Sequence, residues 1–217
     1  MSVDAPPDHS APPLSVAQEA LWYTSVLSPG GTRYNETISF RKEGPLDLAA
    51  FRKAFNEIVA RHEAWRTRYD TVGGQPVQLV QPAPTYDLPL VDFSGLRQDE
   101  AERQAVRLVS ETSRVPYDLR HGPLLRPRLI RFPGQEHRLY LAMHHIIFDG
   151  VSVYRVVLAE LIALYDAFSA GLPSPLPAPQ TQYSAYARGE QEWIAGPRVA
   201  RRVAWWKEHL AALPTLP

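Results

Sequence analysis

Cysteine is absent from this chain of 217 residues, which excludes disulfide bonds, thiolate zinc sites and a cysteine nucleophile. An excess of one charge is lacking too, because 23 Lys and Arg are balanced by 23 Asp and Glu. Duplex DNA and anionic membranes bind surplus cations, so neither is expected as the main partner. No apolar run reaches the roughly 18–20 residues of a membrane span, and no secretory signal is visible. These absences predict a cytoplasmic protein.

Proline is the residue in excess, with 21 copies, about double its usual share of roughly 5%. Two proline clusters divide the chain. The first lies in residues 1–13 and predicts a leader, and the second lies in 173–180 and predicts an extended connector. We therefore expect one lobe over residues 14–172, with C-terminal helices over 181–217 that belong to it.

Helical and strand patterns alternate between the proline clusters. Apolar residues in 48–59 recur at spacings of three and four, as on one helix face, while 35–41 alternates as a half-buried strand does. Gly73-Gly74 and Pro133-Gly134 are turn dipeptides that join antiparallel strands. The sequence thus predicts an α/β fold, a mixed sheet with helices packed on it in layers. The predicted strands are 35–41, 65–70, 76–81, 125–132 and 137–143, and the predicted helices follow Ser15 and Asp47 and span 97–113, 151–168, 182–194 and 198–212.

Residues 143–152, MHHIIFDGVS, carry the clearest indication of chemistry, where an apolar strand ends and a helix begins. Because side chains alternate along a strand, His144 and His145 cannot both point into one pocket while the strand persists. A histidine near a carboxylate such as Asp149 is a candidate general base, since its ordinary pKa of about 6.5 lies near neutral pH. On these residues alone, a packed core histidine is the commoner situation. A metal site with His145 and Asp149 lacks an evident third ligand.

The segment 144–150, with the pattern HHxxxDG, resembles the core motif of the condensation domains of nonribosomal peptide synthetases, which are chloramphenicol-acetyltransferase-like acyltransferases. Three further segments resemble that family's motifs in the family's order. Residues 14–22 (LSVAQEALW) resemble SxAQxRxW, residues 61–69 (RHEAWRTRY) resemble RHExLRTxF, and residues 183–187 (YSAYA) resemble YxDYA. Chance does not account for several motifs in this order.

Three departures from the family pattern matter. Ala20 stands where the first motif has arginine, and Trp65 stands where the second motif has leucine. The third is that the chain ends at Pro217, so the resemblance covers only the first half of the family's domain. In that family, two acetyltransferase-like lobes form a V with the active-site tunnel between them. The resemblance implies an N-terminal lobe whose C-terminal partner lobe is missing, and we expect its exposed apolar surface to favour self-association.

The resemblance implies a reaction between two carrier-bound substrates. The donor is an acyl or peptidyl thioester, the acceptor is the amine of an aminoacyl thioester, and the product is an amide. The implied partners are the donor and acceptor carrier proteins, whose 4′-phosphopantetheine arms deliver the substrates, with no intrinsic cofactor and no metal. Two alternatives remain: a non-catalytic module that recruits a carrier protein or tailoring enzyme, and an acyltransferase that uses an alcohol or a CoA thioester.

The resemblance also assigns roles within the core motif. His145 is the implied catalytic residue, which takes a proton from the amine or orients it and stabilises the charged intermediate. His144 is expected to pack or hydrogen-bond, and Gly150 to leave room for the thioester and its pantetheine arm.

Asp149 is implied to support the site rather than to react. In the family's fold the carboxylate pairs with an arginine and fixes the catalytic loop. The second motif supplies two candidates for that pair, Arg61 as the first choice and Arg66 as the second.

Overall fold

Four strands form the main sheet of the computed structural model, which describes residues 11–211. They are β1 (Asn35–Glu43), β4 (Leu90–Asp92), β5 (Leu125–Phe132) and β6 (Glu136–His144), in the spatial order β1-β6-β5-β4. Strand β6 is antiparallel to both of its neighbours, while β4 is parallel to β5. A separate hairpin joins β2 (Thr67–Val72) to β3 (Gln75–Val80). The predicted mixed sheet is confirmed, although β4 has no counterpart among the predicted strands.

Helices precede, follow and connect these strands. They are α1 (Val16–Leu27), α2 (Leu48–Arg61), α3 (Gln98–Ser113), α4 (Gly150–Ser152), α5 (Leu158–Ser169), α6 (Tyr183–Ile194) and α7 (Pro197–Leu210). A π-helical turn, Val153–Val157, joins α4 and α5 into one continuous helix. Ser15 caps α1 by accepting from the Gln18 amide, and Asp47 caps α2, as predicted. No helix in the part of the chain that the structure describes is long and apolar enough to span a membrane.

The alternation of side chains along β6 separates two hydrophobic cores. Leu139, Leu141 and Met143 lie in the larger core, which also receives the apolar faces of α2 and α5. The opposite face of the sheet contributes Ile130 and Phe132 to a smaller core beneath α3. Each fully buried aliphatic or aromatic side chain contributes about 1.5–3 kcal/mol relative to exposure. The sheet is therefore fixed from both faces, and the end of β6 is held in place.

Both proline-rich segments contact the lobe where the structure describes them. The carbonyl oxygens of Pro12 and Pro13 accept hydrogen bonds from the backbone and side chain of Gln78, at 2.8 and 2.7 Å. Residues 1–10 of the predicted leader lie outside the described residues. The segment 173–180 is extended, and its Pro177 carbonyl accepts a hydrogen bond from Arg61 Nη2 at 2.8 Å.

Tyr69 connects the β2–β3 hairpin to the end of the main sheet. Its side chain is fully buried, and its hydroxyl donates to the Ile146 carbonyl at 3.1 Å. The same hydroxyl accepts from Gln18 Nε2 at 2.9 Å. Burial raises the pKa of Tyr69 far above its ordinary value, so the hydroxyl is neutral. One neutral group thus joins α1, β2 and the segment that follows β6.

We predict that Tyr69→Phe lowers the free energy of unfolding by about 1–3 kcal/mol, because it removes a hydrogen-bond partner from two buried groups. Urea denaturation measures this loss. Tyr23→Phe is the matched control, since the Tyr23 side chain on α1 is half-exposed, and it should change the stability by less than about 0.5 kcal/mol. Equal losses in the two variants would contradict the role of Tyr69.

Candidate functional site

The HHxxxDG segment turns from a strand into a helix. Strand β6 ends at His144, a 3₁₀ turn covers His145–Ile147, and α4 begins after Asp149. The backbone N–H of His145 donates to the Tyr34 carbonyl at 2.8 Å, which holds the turn against the residue that precedes β1. The two histidines therefore lie in different surroundings, as the alternation along the strand predicts.

The turn forms part of the wall of a cavity of about 830 Å³. The other walls come from α1, from the 3₁₀ turn after α2, from the helix that begins at α4, and from the end of the segment 173–180. Much of the lining is apolar, namely Ala17, Ala20, Leu21, Val153, Val156 and Val157, while His62, His145, Asp149 and Glu160 are among its polar groups. An apolar cavity with a few polar groups is typical of ligand-binding sites.

His145 lines this cavity with 37% of its side chain exposed. Its ring stacks on Phe148, with the ring centroids 4.9 Å apart. Its Nε2 lies 3.5 Å from Oε1 of Glu36. Sequence reasoning missed Glu36, which is distant in the chain and reaches the site because β1 pairs with β6, Glu36 lying opposite Met143.

His144 is buried and does not line the cavity. Its Nδ1 accepts a hydrogen bond from the Ile146 backbone at 3.2 Å, and the rings of Tyr34 and Tyr117 lie near it. Burial, with a smaller contribution from the charge of His145, lowers the pKa of His144 to about 4. The residue is therefore a neutral hydrogen-bond acceptor that supports the turn.

The predicted ion pair of Asp149 with Arg61 or Arg66 is wrong. Asp149 is exposed at the start of α4 and accepts hydrogen bonds from the backbone and hydroxyl of Ser152, at 2.9 and 2.5 Å. Burial raises the pKa of Asp149, but these hydrogen bonds outweigh it and hold the pKa below its ordinary value. A carboxylate at the N-terminus of a helix satisfies free backbone N–H groups, so it needs no arginine.

Arg61 pairs instead with Glu160, because α2 packs against α5 and places the end of α2 beside that carboxylate. Both contacts, from Nε and Nη2, are 3.3 Å long. His62 Nε2 lies 2.7 Å from the second oxygen of the same carboxylate. Burial raises the pKa of Glu160, but the hydrogen bonds from Arg61 and His62 lower it below its ordinary value. Arg66 donates to the Gln81 carbonyl at 2.5 Å, away from the motif.

Gly150 lies in open space at the first residue of α4. A Cβ added there would meet no atom of the chain within 4 Å, and its φ is not positive. The backbone conformation therefore does not require glycine at this position. Room for a group from outside the chain is available, and the predicted role of Gly150 toward a thioester stays a prediction. Among residues 11–211, no cluster of three His, Asp or Glu side chains could hold a metal ion.

Solved condensation domains share this architecture. The first condensation domain of the calcium-dependent antibiotic synthetase superposes with a TM-score of 0.81 at 27% identity, covering 94% of this chain and 48% of that one. SgcC5 from Streptomyces globisporus gives a TM-score of 0.77 at 32% identity, covering 94% and 47%. The fold is thus that of the condensation domains, and the predicted fold class is confirmed.

The sequence model of the condensation domain matches residues 9–217, and the chain belongs to the condensation-domain family. A linear gramicidin synthase protein of Brevibacillus parabrevis is 40% identical over 216 residues, which are 96% of this chain and 3% of that protein. Phosphinothricin tripeptide synthetase PhsC of Streptomyces viridochromogenes is 34% identical over 96% of this chain and 19% of its own length. The chain spans about half of the solved condensation domains and a small part of these synthetases.

We predict that His144 makes the stability of the chain depend on pH. Its pKa is about 4 in the folded chain and about 6.5 when unfolded, so the unfolded chain takes up the proton first as the pH falls. The free energy of unfolding should therefore decrease between pH 6.5 and pH 4, by about 2–3 kcal/mol from this residue. His144→Asn keeps an acceptor for the Ile146 amide and removes the titration. Urea denaturation at several pH values should give a shallower slope for the variant, and parallel curves would refute the prediction.

We predict that Arg61 couples energetically to Glu160 and not to Asp149. Arg61→Ala should destabilise the chain by about 3 kcal/mol, since it leaves a largely buried carboxylate unpaired. Asp149→Asn should change the stability by less than about 0.5 kcal/mol, because asparagine caps helices as well as aspartate does. In double-mutant cycles measured by urea denaturation, Arg61→Ala and Asp149→Asn should add, whereas Arg61→Ala and Glu160→Gln should not. The reverse pattern would restore the Asp149–Arg61 pair.

Proposed function

We propose that this chain is the N-terminal half of a condensation domain that forms an amide bond between a carrier-bound acyl or peptidyl donor and a carrier-bound aminoacyl acceptor. One observation carries the proposal: His145 of a complete HHxxxDG motif lines a cavity of about 830 Å³, while its neighbour His144 is buried as a supporting group. The similarity to synthetases of peptide products supports the same reaction class.

In the proposed reaction, the acceptor nitrogen attacks the thioester carbonyl carbon and forms a C–N bond. The C–S bond then breaks, the donor's pantetheine thiol leaves, and one proton of the nitrogen is lost. An α-amino group has a pKa of roughly 7.7–8.0, so a share of it is already neutral near pH 7. A strong base is therefore less necessary than for an alcohol. His145 would orient the amine, accept its proton and stabilise the charged intermediate.

The donor and acceptor carrier proteins are the proposed partners, and their 4′-phosphopantetheine arms would deliver both substrates to the cavity. The C-terminal half of the domain is the third proposed partner, since solved condensation domains are about twice as long as this chain. The helix α7 supports this, because Trp205 and Trp206 are about half-exposed on it. Exposed aromatic surface of this kind is typical of an interface. A cytoplasmic location stays a prediction.

An assay with carriers loaded with donor and acceptor tests the proposed function. The chain is supplied with the C-terminal half of a condensation domain, and amide formation is followed by mass spectrometry of the acceptor carrier. We expect product only when both halves are present, because half of a tunnel leaves the reacting atoms in water and weakens electrostatic stabilisation. Carrier binding without any product would favour the non-catalytic alternative. Self-association of the chain alone is measured by sedimentation over a range of concentrations.

We predict that His145→Ala abolishes amide formation in the two-half assay and leaves the melting temperature of the chain within a few degrees of its original value. The side chain is partly exposed and its ring contacts chiefly Phe148, so little packing is lost. His144→Ala is the contrasting control, because it should lower the melting temperature. Unfolding of His145→Ala would support the interpretation of a packed core histidine instead.

A further inference from the structure

The carboxylate of Glu36 faces the candidate catalytic histidine. Its Oε1 lies 3.5 Å from His145 Nε2, and the two side chains are 48% and 37% exposed. The register of β1 against β6 fixes this arrangement, with Asn35 opposite His144 and Glu36 opposite Met143. The Tyr34 carbonyl, just before β1, accepts the His145 backbone N–H at 2.8 Å. Both residues are thus anchored by backbone hydrogen bonds, and their side chains meet at the edge strand of the sheet.

The distance between these two groups is informative. A hydrogen bond from an imidazole nitrogen to a carboxylate oxygen spans about 2.7–3.2 Å, so the two groups are not directly hydrogen-bonded at 3.5 Å. Within residues 11–211, neither the His145 ring nor the Glu36 carboxylate has a hydrogen-bond partner. Each is therefore available to a third group. A single nitrogen placed beside both atoms can lie within hydrogen-bond distance of each.

We propose that Glu36 and His145 together bind the acceptor as a primary ammonium ion. An ammonium nitrogen carries three N–H donors and one positive charge, which match a carboxylate oxygen and an imidazole lone pair. A hydroxyl has one donor and no charge, so it leaves the carboxylate uncompensated. Because the α-amino pKa is roughly 7.7–8.0, the protonated amine predominates at pH 7. This inference rests on the proposed function and specifies the class of acceptor.

The two groups would then act in sequence on the same nitrogen. Glu36 holds the ammonium ion beside Nε2, and the imidazole takes one proton from it, which gives a neutral amine and an imidazolium ion. The lone pair released on the nitrogen attacks the donor carbonyl as described above. The Glu36 carboxylate stays charged throughout and faces a positive charge before and after the transfer. Glu36 is therefore a binding residue and not a proton carrier.

A binding experiment on this chain tests the inference without requiring catalysis. The ligand is pantetheine that carries alanine through a stable amide in place of the thioester, and its neutral match carries lactate. Binding is followed by NMR on the His145 ring signals, which His145→Ala assigns. We expect the alanyl ligand to bind more tightly than the lactyl ligand. Glu36→Gln should weaken alanyl binding by about tenfold, since it removes one charge-assisted contact, and should leave lactyl binding unchanged.

Glu43→Gln is the matched control, because Glu43 lies at the opposite end of β1 with its side chain largely exposed. It should bind both ligands as the original chain does. Equal binding of the two ligands, or no loss in Glu36→Gln, overturns the inference. The proposed function is tested separately by product formation in the two-half assay, so its failure is distinguishable. An active domain in which Glu36→Gln retains full alanyl binding would refute only the role of Glu36.

Discussion

The backbone of Ile146 is held on both sides, and the placement of the whole motif depends on this. Its N–H donates to His144 Nδ1 at 3.2 Å, and its carbonyl accepts from Tyr69 at 3.1 Å and from Gln18 at 3.4 Å. The strand has already ended at this residue, so no ladder hydrogen bond is available to these buried groups. Because an unpaired buried backbone group costs about as much as a lost hydrogen bond, the three side chains fix the direction in which the chain turns.

That direction explains why two adjacent histidines differ. His144 must remain inside as a neutral acceptor, since its Nδ1 is the partner of the Ile146 amide. The following residue is then directed outward, and His145 lies at the cavity wall. The motif thus provides one histidine for support and one for contact with a ligand. Gln18 and Tyr69 belong to the first and second motif-like segments, so three segments that are distant in sequence meet at one peptide unit.

The sequence predicted much of this fold because long periodic elements are visible in the local pattern of residues. The helix at 98–113 and the hairpin around Gly73-Gly74 follow from spacing and turn chemistry alone. Strand β4 escaped prediction because its three residues are too few to show a period. The partner of Asp149 was predicted wrongly for a different reason. A motif supplies arginines, but only the packing of α2 on α5 determines that Arg61 meets Glu160. Glu36 likewise becomes visible only through the β1–β6 register.

Burial separates the charged groups of this site into two kinds. The Arg61–Glu160 pair, with side chains only 9% and 19% exposed, joins two helices and the cavity wall, and breaking it leaves a charge in a poorly hydrated place. Glu36 and His145 are 48% and 37% exposed and too far apart for a hydrogen bond. A pair of that kind contributes about 0–1 kcal/mol to stability, so the stability of the fold does not account for a carboxylate at this position. A ligand that carries a positive charge does account for it, because the charge completes a contact that the chain alone leaves open.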